Sequence, residues 1–314
     1  MLIVTMAAVL ILLACYISFR LMFYAPRKPQ PEFPIPTGPA YEPYRERMIE
    51  GIKRLRSQPH ETFTILSDDG LILSGRYFEC APGAPMEIMF HGYRGTADRD
   101  LSLGMERAFA LGHNALIVDQ RTTGGSGGRV ITFGIREYRD CLRWVDFAVA
   151  HFGADVKIIL TGISMGGATV LMAAGEELPA NVVGVLADCA YTSSKAIIQK
   201  VSRQIKLPPW LMYPLIRVGG ILFGGFDVEE NAPIRAVKRI RVPVMFAHGE
   251  EDALVPCSMS WENYKACTAP KGIYTAPGAD HGLCYLAAEE EYIRVLRAFW
   301  TAQGIYDRAE TSII

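Results

Sequence analysis

The sequence predicts an α/β protein, a mostly parallel sheet flanked by helices, behind an apolar N-terminal helix. Three observations predict it. From Met86 onward, short β-branched apolar runs alternate with helix-like stretches, the pattern of a parallel sheet whose crossovers cover both faces. Half of the 314 residues are apolar, enough for a large core, and roughly 250 residues suit one such domain. The third observation is local. Strand-like residues 156–161 lead into Gly162-Ile163-Ser164-Met165-Gly166, and helix-like residues 167–174 follow. A serine on so tight a strand-to-helix turn is strained, and small residues two before and two after it keep strand and helix from colliding.

Residues 2–19 carry no charge, and Leu21-Met22-Phe23-Tyr24 extend the apolar character past Arg20, which can snorkel. About 20 residues at 1.5 Å each cross a hydrocarbon core of roughly 30 Å, so residues 1–24 are expected to be a transmembrane anchor. No Lys or Arg precedes the run and no small-x-small site follows it, which argues against a cleaved signal. Arg20, Arg27 and Lys28 lie on its C-terminal side, so the positive-inside rule puts the catalytic domain of a single-pass protein in the cytoplasm. Six prolines make residues 25–40 a Pro-rich linker, either an extended spacer or an ordered strap. Residues 41–304 are expected to form the main domain and 305–314 a C-terminal tail. On the spacer reading, a chain beginning near Tyr41 keeps its chemistry.

Residues 41–57 form an amphipathic helix with Met48, Ile52 and Leu55 on one stripe. Strands follow at 62–66 and 71–78, joined by the hairpin signal Asp68-Asp69-Gly70. Ile88-Met89-Phe90 is a strand running into His91-Gly92-Tyr93, and residues 182–187 are another, closed by Asp188. Residues 191–241 are too long for a simple connection and too apolar for a solvated loop. Short helices around residues 208–216 and 221–226 would form either a cap over the C-terminal strand ends or a layer packed on the sheet. The last two strands, 242–247 and 272–276, run into His248-Gly249-Glu250-Glu251-Asp252 and Asp280-His281-Gly282.

A serine hydroxyl needs a base and an orienting acid to act as a nucleophile. Ser164, Asp252 and His281 follow one another in that order, each just past the C-terminal end of a strand. His281 would take the Ser164 proton, and Asp252 would fix its tautomer and stabilise the imidazolium. The Met165 N–H, at a helix N-terminus, would donate to a developing oxyanion.

With Phe90-His91-Gly92-Tyr93, Asp119-Gln120-Arg121, the serine turn, Asp188-Cys189-Ala190-Tyr191-Thr192-Ser193, the Asp252 loop with Val255-Pro256, and Asp280-His281-Gly282, the chain resembles the α/β-hydrolase superfamily over roughly residues 60–302. It is most similar to bacterial membrane-anchored serine hydrolases of the esterase, lipase and serine-aminopeptidase type. The resemblance implies hydrolysis of carboxylic esters, lipid or other acyl esters among them, through an acyl-enzyme. Amide or peptide hydrolysis by the same triad, or a silent hydrolase-like membrane scaffold, are the alternatives. It also implies that the Tyr93 backbone N–H is the second oxyanion donor. Some lipases of this fold carry the acid after the preceding strand, which makes Asp188 the alternative acid. Gly249 and Val255-Pro256 around Asp252 match the usual acid loop. Where the family usually has Arg-Gly-His-Gly, this chain has Arg121-Thr122-Thr123-Gly124, a difference at the rim of the site.

A net charge of −1 with scattered Lys and Arg gives no electrostatic case for nucleic acid. The glycine run 124–128 lacks the Gly-Lys-Ser/Thr of a phosphate loop and reads as a turn. The seven cysteines show neither metal-type nor disulfide spacing, and no cofactor or metal is expected. His60, His113, His151 and His248 read as structural histidines, and His91 precedes the nucleophile on the wrong strand for a base.

Overall fold

The computed structural model describes residues 1–27 and 29–306. Eight strands form one sheet in the order β1-β2-β4-β3-β5-β6-β7-β8. The hairpin β1 (Glu61–Leu66) and β2 (Ile72–Phe78) joins antiparallel to β4 (Asn114–Asp119). From β4 onward every pair is parallel, through β3 (Met86–Phe90), β5 (Ile158–Ile163), β6 (Val182–Asp188), β7 (Val244–Gly249) and β8 (Lys271–Ala276). All five of the last-named strands therefore point their C-terminal ends the same way, and the loops leaving them meet at one edge of the sheet.

The central strands are apolar on both faces because both are covered. On one face Ile88, Phe90 and Leu160 pack against Trp144 of α4 (Glu137–Phe152) and Val170 and Leu171 of α5 (Met165–Ala174). On the other, Met89 and Ile117 meet Leu101 and Met105 of α3 (Ala97–Ala110) and Leu55 of α2 (Arg45–Ser57). Further along that face Ile159, Leu186 and Met245 meet Leu296 and Trp300 of α11 (Glu289–Ala302). β5 and β7 each run two residues past the expected strand end. Parallel pairing of Ile163 with Asp188 and of Gly249 with Ala276 continues after the apolar run has stopped.

The N-terminal helix α1 (Leu2–Met22) changes character along its length. Residues 2–13 are exposed, whereas Cys15, Ser18 and Phe19 are buried against α7 (Pro209–Gly219) and the π-helical turn Gly220–Gly224. A Cβ on Gly219 would lie 2.4 Å from the Cys15 carbonyl oxygen, so only glycine admits this approach. Phe23 is fully buried, edge-on to Phe133 and Phe226 at 5.8 and 5.0 Å. The Ala25 N–H donates to the Arg129 carbonyl and the Ile131 N–H to that of Phe23, both at 2.8 Å. Beyond this short pairing the chain lies along the domain as a strap. Arg27 donates to the Ser126 carbonyl, Arg56 to that of Glu32, and Ile35 and Tyr41 pack beside the α11 core. Lys28, and the expected tail beyond Tyr306, lie outside the described residues. Ile305 is buried, and the Tyr306 hydroxyl donates to His113 Nε2.

Between β6 and β7, α6 (Ser194–Gln204), α7 and α8 (Pro233–Ala236) stand at the C-terminal edge of the sheet. Ile197, Ile198, Tyr213 and Ile216 share one apolar cluster with Phe19, Phe23, Ile131 and Phe133. The turn between β5 and α5 is tighter still. A Cβ on Gly166 would sit 2.0 Å from the Phe90 carbonyl oxygen, and one on Gly162 would sit 2.1 Å from that of Gly166. Gly166→Ala is therefore expected to force β3 away from α5, costing at least about 2 kcal/mol. A thermal scan should show the melting temperature falling by several degrees. An unchanged melting temperature would mean that β3 yields without cost.

Candidate active site

Ser164 sits between β5 and α5 at φ 57° and ψ −117°. For a residue with a Cβ this region is strained, and the Ser164 N–H is fixed by the Asp188 carbonyl at 2.8 Å. The strain turns the hydroxyl away from the sheet toward the loop after β8. There His281 Nε2 lies 3.0 Å from Ser164 Oγ, and His281 Nδ1 lies 2.7 Å from Asp252 Oδ2. With Nδ1 donating to the carboxylate, Nε2 is left to accept the serine proton. The three residues expected to act together are brought together.

Asp252 is held from four directions. Its Oδ1 accepts the N–H groups of Leu254 and Val255 at 2.9 and 2.7 Å. Its Oδ2 accepts from His281 and also from His248 Nε2 at 3.1 Å. Burial works against its charge, but the hydrogen bonds from His248 and His281 outweigh it and hold the carboxyl well below the usual range. Neighbouring Asp280 accepts from the N–H groups of Ala253 and His281, tying the acid loop to the base loop. Lys200 and Gln204 of α6 donate to the Ala253 carbonyl from the other side.

Asp188 is placed elsewhere. Its carboxyl accepts from the Tyr292 hydroxyl at 3.2 Å, makes no hydrogen bond to His281, and is raised in pKa chiefly by burial. His91 is also satisfied away from the serine: its Nδ1 bonds the Gly92 carbonyl, and its Nε2 accepts from the Gln120 N–H and meets Thr123 Oγ1. His248 reads as a structural histidine in the sequence, yet it touches the acid. It sits inside β7, four residues before Asp252, with Ser260 Oγ at 2.6 Å from its other nitrogen. That i, i+4 spacing across a strand end was the one available signal.

The amides of Tyr93 and Met165 donate to no other group among the described residues, which leaves both free for an incoming oxygen. The Tyr93 loop is braced from an unexpected side. The Tyr93 hydroxyl donates to the Met22 carbonyl at 2.6 Å, and the Arg94 guanidinium donates to those of Leu21 and Tyr24. Two side chains of this loop thus cap the last turn of α1, whose carbonyls have no helical partner.

A cavity of about 260 Å³ opens beside Ser164 and His281. Its apolar wall comes from Pro36 and Tyr41 of the strap, Met48 of α2, Leu101 and Leu103 of α3, and Leu286 of α10 (Cys284–Ala287). No described residue from 191–241 lines it, so the apolar surface beside the serine is built by the N-terminal strap and α2–α3 rather than by α6–α7. Tyr41 also donates its hydroxyl to the His281 carbonyl at 3.0 Å. As for metals, Cys189, Asp252 and His281 present ligand-type atoms within 4.8 Å of one another. Burial pushes the Cys189 thiol well above its ordinary pKa, away from the thiolate that a metal needs, and Asp252 and His281 are already bonded to each other.

The comparisons agree with this architecture. Residues 88–226 match the family model described as alpha/beta hydrolase fold. The structure is similar to the esterase Pf2001 of Pyrococcus furiosus, with a TM-score of 0.67 over 89% of this chain and 98% of that one, at 20% identity. It is also similar to Est1E of Butyrivibrio proteoclasticus, solved with ferulic acid bound, with a TM-score of 0.58 over 78% and 100% of the two chains, at 20% identity. The chain has the α/β-hydrolase fold. Among sequence relatives, the YqkD protein of Bacillus subtilis is 28% identical over 60% of this chain, a stretch that spans only 62% of YqkD itself. The bem46 protein of Schizosaccharomyces pombe is 24% identical over 72% of this chain and 71% of its own length.

With two candidate acids on this fold, the bonding pattern ranks them. Asp252→Asn, which reverses the hydrogen bond to His281, is expected to lower kcat by about 10⁴. Asp188→Asn, which keeps an acceptor for Tyr292, is expected to lower it less than about tenfold. Steady-state kinetics on one soluble ester checks both, and the opposite ranking would move the acid to Asp188.

Proposed function

We propose that this chain is a membrane-anchored serine hydrolase that cleaves carboxylic esters through an acyl-enzyme. The single observation that carries the reading is the continuous hydrogen-bonded run from Ser164 through His281 to Asp252, on a strained turn beside two free amides. In this reading His281 Nε2 takes the Ser164 proton as Oγ attacks the ester carbonyl. The N–H groups of Tyr93 and Met165 receive the oxyanion, in a site where preorganised donors act most strongly. His281 then protonates the leaving alcohol, and the acyl group stays on Ser164 Oγ. Water, deprotonated by the same histidine, attacks the acyl carbonyl and releases the acid, restoring the free serine.

The cavity supports a substrate with one apolar arm of modest size, since about 260 Å³ is at the small end of ligand pockets, typically ~300–1,000 Å³. A lipid ester would place the remainder of its chain at the mouth. Anchoring is supported by α1, which is long and apolar enough to cross a bilayer, at mean hydropathy 2.6. The cations Arg20 and Arg27 beyond its apolar run support a cytoplasmic catalytic domain.

Ser164→Ala is expected to abolish labelling by a fluorophosphonate probe and to cut turnover of p-nitrophenyl esters by about 10⁴ or more, with the circular dichroism spectrum unchanged. Full labelling of the variant would remove Ser164 as the nucleophile. The same wild-type protein, tested on p-nitrophenyl esters of increasing acyl length and on the matching anilides, reads both the cavity and the preference for ester over amide.

A second expectation reverses the spacer reading. Deleting residues 1–40 removes buried Phe23, a loss of about 3–5 kcal/mol by analogy with Phe→Ala changes, and frees the Tyr93 and Arg94 side chains. A chain starting at Tyr41 should therefore lose at least about tenfold in kcat even on short, water-soluble esters. Full-length Tyr93→Phe, which breaks only the bond to Met22, should retain the fold and show a smaller loss. Wild-type activity in the shortened chain would mean that α1 and the oxyanion loop are uncoupled.

A further inference from the structure

The N-terminal helix is too short to cross a bilayer with the part that stands free of the protein. Its 21 residues extend about 31 Å, close to the roughly 30 Å of a hydrocarbon core. Only residues 2–13 are exposed all round, however, and at 1.5 Å each they reach about 18 Å. The rest of the span must come from the stretch around Cys15, Ser18 and Phe19, and this is the stretch packed on α7 and the π turn. If α1 crosses the bilayer, those elements go in beside it to a depth of about 12 Å.

Their outward face is built for that depth. Leu211, Val218, Ile221 and Leu222 fall on one helical stripe, 40–55% exposed, with Phe223 beside them and Trp210 at the start, 76% exposed. The opposite stripe, Tyr213, Ile216 and Gly219, is buried in the domain. The outward face continues directly onto α1, where Tyr16 meets Phe223 edge-on at 5.2 Å. The charged residue within α7, Arg217, is neutralised by Asp227 at 2.7 Å and by Glu229. Arg203 and Lys206 are exposed just before Trp210, and Arg20 lies 3.8 Å from the Tyr24 ring centre at the end of α1. Cations and aromatic rings of this kind gather at the headgroup level, above an apolar band. A helix and a π turn also satisfy most of their own backbone groups, as hydrocarbon requires, and the bond that Pro214 removes is the one to the Trp210 carbonyl in the first turn.

We propose that the outward face of α7 and the π turn is seated in the leaflet on the catalytic side, its occupant being lipid acyl chains. The proposal rests on the anchoring reading and goes beyond it: the domain is docked flat on the membrane rather than tethered above it. Continuity with α1 selects lipid over a second copy of the chain as the occupant.

The test uses the full-length protein in vesicles of phosphatidylcholine and phosphatidylglycerol, with Trp210 emission obtained as the difference from Trp210→Phe. Lipids brominated in the upper acyl chain are expected to quench at least half of this difference, and aqueous acrylamide to leave most of it. Leu222→Asn with Phe223→Asn should weaken the lipid quenching without changing turnover of a soluble ester. Protein that resists a carbonate wash while Trp210 is quenched by acrylamide alone would overturn the docking and leave the anchor standing. Protein that washes off the vesicles would overturn both. Trp210 shielded from both quenchers in a species of doubled mass would show a second copy on this face, and would overturn the lipid assignment.

Discussion

The Asp252 carboxylate is the point on which the site depends. Loops after three parallel strands have to meet to a fraction of an ångström, and none of them is held by the sheet beyond its last ladder bond. Asp252 joins two of them directly, through its own backbone donors at Leu254 and Val255 and through His281. It also reaches back into β7 through His248. A buried carboxylate pays a large desolvation cost, and leaving even one partner out would make it expensive to keep. Four donors make the charged form the stable one, and the same four leave its position no freedom. The tautomer of His281 follows from that position, and with it which nitrogen faces Ser164 Oγ.

The serine side is held by sterics rather than charge. Ser164 keeps its strained angles because Gly162 and Gly166 allow α5 to pack against β5 and β3 at distances no Cβ would tolerate. The third side, the Tyr93 loop, is held by neither the sheet nor its neighbours alone. It uses the orphan carbonyls at the end of α1, which in an isolated membrane helix would face water or headgroups. A helix that reads as an appendage is thereby a structural support of the Tyr93 loop.

These differences explain what was legible in the sequence. The sheet, the serine turn, and the order of Ser164, Asp252 and His281 depend on local pattern: an apolar run, small residues at fixed offsets, a strand end. The strand limits at Ile163 and Gly249 slipped by two because parallel pairing outlasts hydrophobicity. The cavity wall was not legible at all. Pro36, Tyr41 and Met48 reach Ser164 across more than a hundred residues of sequence, and nothing in a proline-rich stretch tells whether it lies on a surface or in solution. The dual nature that the proposed anchoring gives α1 was hidden for another reason. Lipid and protein core select the same apolar residues, so hydropathy cannot mark where one ends and the other begins; the close approach at Gly219 marks it instead.

Whether a hydrolase is tethered or docked changes what its anchor does. A flexible tether raises the local concentration of membrane substrate and leaves orientation free. Here Phe23 is buried between Phe133 and Phe226, and Tyr93 grips the same turn, so the direction in which α1 leaves the domain is fixed. Under the proposed anchoring, a fixed exit direction sets the tilt of the whole domain, and with it the height of the cavity mouth above the leaflet. Any force that tilts α1, such as a thicker or thinner bilayer, then acts on the carbonyls of Leu21 and Met22 and through them on the Tyr93 amide. Under the proposed docking, the apolar face of α7 and the π turn would resist that tilt, because rotating the domain would lift Trp210 and Leu222 into water at about 25 cal/mol for each Å² exposed. Under these proposals the residues from Cys15 to Tyr24 link the membrane-facing side of the domain to the Tyr93 loop.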